Sequence, residues 1–150
     1  MKNKTILATG VLLLFLFFGC ITDKQTSKNE VKVIQFKDAE CGCCVSHGAY
    51  MKGNGFSVDT ISTENMQEIK TKYNIPANMQ SCHTEIIEGY FVEGHVPVEA
   101  INKMLDEKQN IDGIALPRMP AGSPGMPGVK KEPFIIYSIK DGQATEFMRV

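Results

Sequence analysis

The chain has no tryptophan, and aromatic residues make up only 8% of its 150 residues. Nothing in that composition suggests a large aromatic-lined cavity for an organic cofactor. There is no basic stretch able to neutralise a row of phosphates. Sixteen basic and seventeen acidic side chains leave a net charge of -1, so nucleic acid is not an expected partner. The acidic residues show no paired-carboxylate pattern. No serine-nucleophile elbow and no phosphate loop can be found. Internal repeats are also missing. What remains is a chain with 43% hydrophobic and 22% charged residues, a globular rather than a disordered composition.

The N-terminus reads as a targeting segment. Lys2 and Lys4 form a short positive region before the apolar run Ile6 to Phe18. As a helix that run reaches only about 20 Å, short of a hydrocarbon core of about 30 Å. A lipoprotein-type signal peptide over residues 1–19 fits better than a membrane span, with Cys20 as the lipidated first residue of the mature chain. Phe17 and Phe18 depart from the usual pattern at such sites, and plain secretion or an uncleaved anchor is the alternative. Residues 20–30 are polar and form a flexible tether. The folded part is then residues 31–150, on the outer face of a membrane, in the periplasm or at the cell exterior.

The β-branched run Val31 to Phe36 predicts a buried strand, followed at once by Cys41-Gly42-Cys43-Cys44. A helix is expected from Cys44 to Asn54, a strand over Phe56–Ile61, and a helix capped by Ser62 or Thr63 running to Tyr73. Two short strands, Thr84–Ile87 and Tyr90–Val92, flank the turn Glu88-Gly89. Pro97 introduces a helix from Val98 to Glu107. Residues 112–128 hold four of the seven prolines and read as an irregular loop. A hairpin, Phe134–Ile139 and Thr145–Met148, closes the chain. The expectation is an α/β domain with a thioredoxin-like mixed sheet flanked by helices, plus a C-terminal loop and β-hairpin.

Three of the five cysteines fall within four residues. On a turn into a helix, Cys41 and Cys44 can face one point, and the helix N-terminus favours thiolate. Thiolates serve either as metal ligands or as redox nucleophiles, and buried packing explains such a cluster poorly. In the expected fold, Cys82-His83 begins the strand beside that helix, so Cys82 can join the cluster. His95, at the end of the next strand, can reach the same end of the sheet. His83 and His95 are candidate ligands, with hydrogen-bonded polar residues as the plain alternative. His47, one turn beyond Cys43 and Cys44, is a further candidate or simply an exposed helix histidine. Met119 and Met126 flank a proline-braced loop. Thioethers there would favour copper(I) over zinc, although methionine more often fills gaps under a loop.

Four motifs carry a resemblance. They are Cys41-Gly42-Cys43-Cys44, Ser81-Cys82-His83-Thr84, Gly89 through Pro97 (GYFVEGHVP), and Gly113 through Met126 (GIALPRMPAGSPGM). In this order they resemble the DUF411 family, which includes CopG-type copper-resistance proteins. The resemblance implies a thioredoxin-like fold, export, and copper binding through Cys41, Cys43, Cys44 and Cys82 with His95. It also shows departures. His47 stands where the family usually has Trp, Tyr50 where it often has His, and Arg118 where Gly is common.

The leading expectation is a copper(I)-binding protein of copper resistance or homeostasis, with metal ions as its ligands and the membrane reached through Cys20. Copper(I) is favoured over zinc. The rival is a thiol–disulfide oxidoreductase using Cys41 and Cys44. A structural zinc site is the third reading. If the protein is an enzyme at all, oxidoreductase chemistry is the class implied.

Overall fold

The computed structural model describes residues 30–150. The expected signal segment, the Cys20 site and nearly all of the tether lie outside the described residues. Among the described residues, no helix is long and apolar enough to cross a membrane.

The first strand, β1 (Val31–Lys37), buries Val33, Gln35 and Lys37 at alternate positions, as a half-buried strand should. It leads through a short turn into α1 (Gly42–Gly53). Strand β2 (Phe56–Ser62) returns parallel to β1. Next comes the short helix α2 (Met66–Lys72), then a single 3-10 turn at Ala77–Met79. Strands β3 (His83–Ile87) and β4 (Tyr90–Glu93) form the expected hairpin. Helix α3 (Val98–Glu107) keeps the expected boundaries. Strands β5 (Gly113–Ala115), β6 (Ile135–Lys140) and β7 (Gln143–Arg149) complete a seven-stranded mixed sheet in the order β2-β1-β3-β4-β5-β6-β7.

The α/β class, the mixed sheet and the C-terminal hairpin therefore stand, in an arrangement compatible with a thioredoxin-like layout. Two local expectations change. Residues 112–128 are not irregular throughout, because Gly113–Ala115 pairs with both β4 and β6. A three-residue strand is too short to show alternation. The second helix starts later than expected, because β2 continues through Ser62. Asn65, not Ser62 or Thr63, is the cap, its side-chain carbonyl accepting the Glu68 N–H at 3.2 Å.

The larger core lies where α1 and α3 meet the sheet. Met51 from α1 and Ala100, Ile101 and Met104 from α3 pack with Val33, Ile87, Val92, Ile114 and Ile136. A smaller cluster holds Ile75 and Met79 against Phe91, Ala115 and Ile139. Tyr50 of α1 ties the two larger helices together, its hydroxyl accepting the Val98 N–H at 3.0 Å. That contact occupies one of the free donors at the start of α3.

Ile101 is fully buried in the larger core. Ile101→Ala is expected to cost about 2–5 kcal/mol of stability, read as a lower urea midpoint at unchanged slope.

Candidate metal centre

Three chain segments arrive at one end of the sheet. Lys37, the last residue of β1, pairs with His83, the first of β3. Thr84 pairs with Glu93, the last residue of β4, so the chain leaves β4 beside the same point. Cys41, Cys82 and His95 lie just beyond these three strand ends.

The turn after β1 is braced by its own backbone and by Lys37. The Cys41 N–H donates to the Asp38 carbonyl at 3.1 Å. The Lys37 side chain folds back, and its ammonium donates to the carbonyls of Asp38 and Ala39. Cys41 then caps α1, with Cys43 and Cys44 in the first turn. Cys41 and Cys44 are joined in a disulfide, while Cys43 and Cys82 are free. The Cys41 and Cys43 sulfurs are 3.5 Å apart. The sulfurs of Cys41, Cys43, Cys44 and Cys82 all lie within 4.8 Å of one another.

Ser81, the residue before Cys82, is held by a buried carboxylate that sequence reasoning missed. Glu93 is fully buried and accepts the Ser81 N–H at 2.6 Å and the Thr84 hydroxyl at 2.6 Å. The ammonium of Lys70, itself buried, donates to the same carboxylate. Burial pushes the Glu93 pKa above the usual carboxylate range, against the opposing pull of Lys70. The signal was present in the sequence: a carboxylate inside the otherwise apolar run Tyr90-Phe91-Val92-Glu93.

Burial also pushes the Cys82 thiol up to about 12, with the charge of Cys43 adding to the effect. Cys82 is therefore protonated at neutral pH until a metal replaces the proton. Two imidazoles flank its sulfur. His95 Nε2 is 3.1 Å away and His83 Nδ1 3.3 Å away. His95 Nδ1 lies 2.6 Å from the Pro124 carbonyl, which can only accept. His95 thus carries its proton on Nδ1 and turns the Nε2 lone pair toward Cys82, the arrangement typical of a metal-ligating histidine. Cys82 has one S–H, and it goes to that lone pair. With the S–H there, His83 can donate its Nδ1–H to the Cys82 sulfur.

His47 lies deeper. It is fully buried, not the exposed helix histidine that remained open from sequence. The buried residues of α1 are Cys44, His47, Gly48 and Met51, a helical stripe that signals this placement. Its Nδ1 faces Glu85 Oε1 at 3.0 Å and its Nε2 faces the Val96 carbonyl at 3.2 Å. His47 therefore touches none of the sulfurs by hydrogen bond. Met119 is half exposed and lines a groove with Leu116, Val129 and Phe134, so it does not plug the core.

The loop carrying Pro124 sits directly on α1. A side chain at Gly125, where φ is 81°, would approach the His47 backbone nitrogen to 2.6 Å and the Cys43 carbonyl to 3.0 Å. Arg118 on the same loop adopts φ of 60°, a left-handed conformation that costs a non-glycine residue about 1–2 kcal/mol.

Residues 79–126 match the model of DUF411, described as a protein family of unknown function. No curated protein matches the chain. Two solved structures do, and their titles are "Copper resistance protein copG", forms 2 and 1. They are 36% identical in sequence, with TM-scores of 0.75 and 0.74, and the match covers 81% of this chain and 98% of each of theirs. The chain belongs to the DUF411 family. The matched family segment spans Cys82, His83, Glu93, His95 and the loop through Met126.

Burial and the nearby charges of His47 and His95 hold His83 well below the usual histidine range, and burial lowers His95 as well. In the unfolded chain both regain a pKa of about 6.5. As pH falls below that value the unfolded state takes up protons that the native state refuses, so unfolding is favoured. In the metal-free protein the stability contributed by these two histidines is thus expected to be full above about pH 6.5 and to decline below it. The slope is at most about 1.4 kcal/mol per pH unit for each histidine. His83→Gln should flatten the decline in urea midpoints measured from pH 7.5 to 5.

Proposed function

We propose that this is an exported copper-binding protein of copper resistance or homeostasis. The observation that carries the reading is the convergence of four cysteine sulfurs, from segments forty residues apart in the chain, within 4.8 Å of one another. Thiolates in that number suit copper(I), and one thiolate can bridge two ions. The copper-resistance titles of the matched structures support the choice of copper over zinc. Copper here is cargo. Cys41, Cys43, Cys44 and Cys82 would hold it, and His95 would add the Nε2 lone pair that already faces the sulfurs. His83 would steady Cys82 through its Nδ1–H.

Two chemical conditions follow from the site. The Cys41–Cys44 disulfide must take up two electrons and two protons before both sulfurs can act as ligands. Cys82 must lose its proton as copper arrives. Whether bound copper also changes oxidation state is a further step of this reading, which would make the protein an oxidoreductase.

A second reading has one observation in its favour: the Cys41–Cys44 disulfide at the start of α1 is the pattern of a thiol–disulfide oxidoreductase. Cys43 then becomes a liability, since its sulfur is 3.5 Å from that of Cys41 and invites disulfide exchange. An insulin-reduction assay separates the two. Strong turnover unaffected by copper chelation would reverse the preference.

The direct test is competition for copper(I) against a chromophoric chelator in reducing buffer. The reduced protein is expected to bind tightly. Cys82→Ser should weaken binding by at least about tenfold, since losing a ligand costs no less than losing a group that orients one. Equal binding by the variant would remove Cys82 from the site.

The location forms part of the same proposal. Residues 1–19 would act as a lipoprotein signal peptide, Cys20 would carry the lipid, and residues 20–30 would tether the domain outside the cytoplasm. Cys20→Ala is expected to move the protein from the membrane fraction to the soluble fraction of the producing cells. Retention in the membrane would point to an uncleaved anchor.

A further inference from the structure

Behind the sulfur cluster lies a group of three side chains with different chemistry. His47, His83 and Glu85 are each fully buried. One ligating atom from each lies within 4.8 Å of the others. Two of their polar atoms have no hydrogen-bond partner among the described residues, His83 Nε2 and Glu85 Oε2. Orphaned polar atoms at such depth are costly and ask for an occupant.

The hydrogen bonds around the group show which atoms are free to ligate. His83 gives its Nδ1–H to Cys82, so its Nε2 holds a lone pair, 3.9 Å from Glu85 Oε1. His47 gives its Nε2–H to the Val96 carbonyl, which cannot donate. Its Nδ1 and Glu85 Oε1 then face each other at 3.0 Å, two acceptors that need a cation between them, either a proton or a metal. Gln35 donates to the same carboxylate oxygen at 3.0 Å and fixes its orientation. A ring N–H on a carbonyl and an amide on a carboxylate are the outer contacts that commonly orient metal ligands.

We propose that His47 Nδ1, His83 Nε2 and the Glu85 carboxylate form a second, inner metal site for a borderline divalent ion of the zinc class. Two imidazoles and a carboxylate are a hard-to-borderline donor set, distinct from the soft thiolates in front of it. Three protein ligands are sufficient for such an ion. The His83 ring joins the two places, with Nδ1 toward Cys82 and Nε2 toward Glu85. This inner site does not depend on copper binding at the cysteines.

Cobalt(II) is a suitable probe, because its visible spectrum reports coordination. The parent protein would be the full chain carrying Cys20→Ser, Cys43→Ser and Cys82→Ser, with the Cys41–Cys44 disulfide formed. It has no free thiol, and the hydroxyl introduced by Cys82→Ser can keep the hydrogen bonds to both histidines. It is expected to bind one equivalent of cobalt(II), with ligand-field bands and no sulfur charge-transfer band, and zinc(II) should displace the cobalt. Glu85→Gln or His47→Gln on this background should weaken binding by about tenfold or more. A readout without those variants guards against misfolding. The chain has only three histidines. In the parent, zinc(II) should shift the imidazole NMR signals of His47 and His83 more than those of His95. No binding by the parent, equal binding by Glu85→Gln, or a zinc response centred on His95 would overturn the site and leave a proton as the only occupant of the His47–Glu85 pair. None of these outcomes bears on copper(I) binding by the reduced wild-type chain.

Discussion

With β1 and β3 antiparallel and Lys37 opposite His83, the chain leaving one strand and the chain entering the other are side by side. The cysteine cluster needs that register. Cys41 follows the first strand end and Cys82 precedes the second, so pairing them in this way brings distant thiols together without any metal. A shift of one residue would also turn Gln35 and Glu85 away from the face they share. Val33 opposite Ile87 in the larger core resists such a slip, because the slipped strand would carry its residue out of the apolar interior. The hydrophobic pattern of two strands thus fixes the position of polar chemistry at their ends.

Much of this was legible in the sequence. The β-branched residues of Val31–Phe36, the Glu88-Gly89 turn and the Pro97 helix start are local signals, and each produced its element close to the observed boundaries. Local signals also placed Cys41 at a helix start. Convergence of Cys82 and His95 on that point is a tertiary fact, inferred from strand order. Other parts stayed hidden because they depend on contacts across the sheet. Glu85, Lys70 and Gln35 look like ordinary solvated residues until the sheet and helices cover them. Strand β5 has no pattern of its own and exists because β4 and β6 offer it partners on both sides. The targeting reading of residues 1–19 lies outside the described residues.

Two polar networks back the sulfur cluster, and they differ in kind. In the Glu93 network the carboxylate is satisfied: each oxygen has a donor and a buried ammonium sits on it, while the Ser81 hydroxyl beside it has no partner among the described residues. The network works as a brace that fixes Ser81 and hence the approach of Cys82. The Glu85 network is open, with an oxygen and an imidazole nitrogen left over. Burying unmet polar atoms costs more than burying none, and a fold that retains them gives up stability for some other gain. Differences of this sort separate scaffolding from a site more reliably than residue type does.

The seat of the Gly125 loop has a consequence for how freely this centre can be altered. At that position the atoms nearest the loop are backbone atoms of α1, at Cys43 and His47. Backbone is the same whatever residue carries it. Exchanges along the first turns of α1 can therefore alter the chemistry beneath the loop while this contact stays in place. The Pro124 carbonyl, one residue away, would go on orienting His95 through such changes. The scaffold separates what holds the lid from what tunes the donors, so the donor set can drift without the enclosure coming apart.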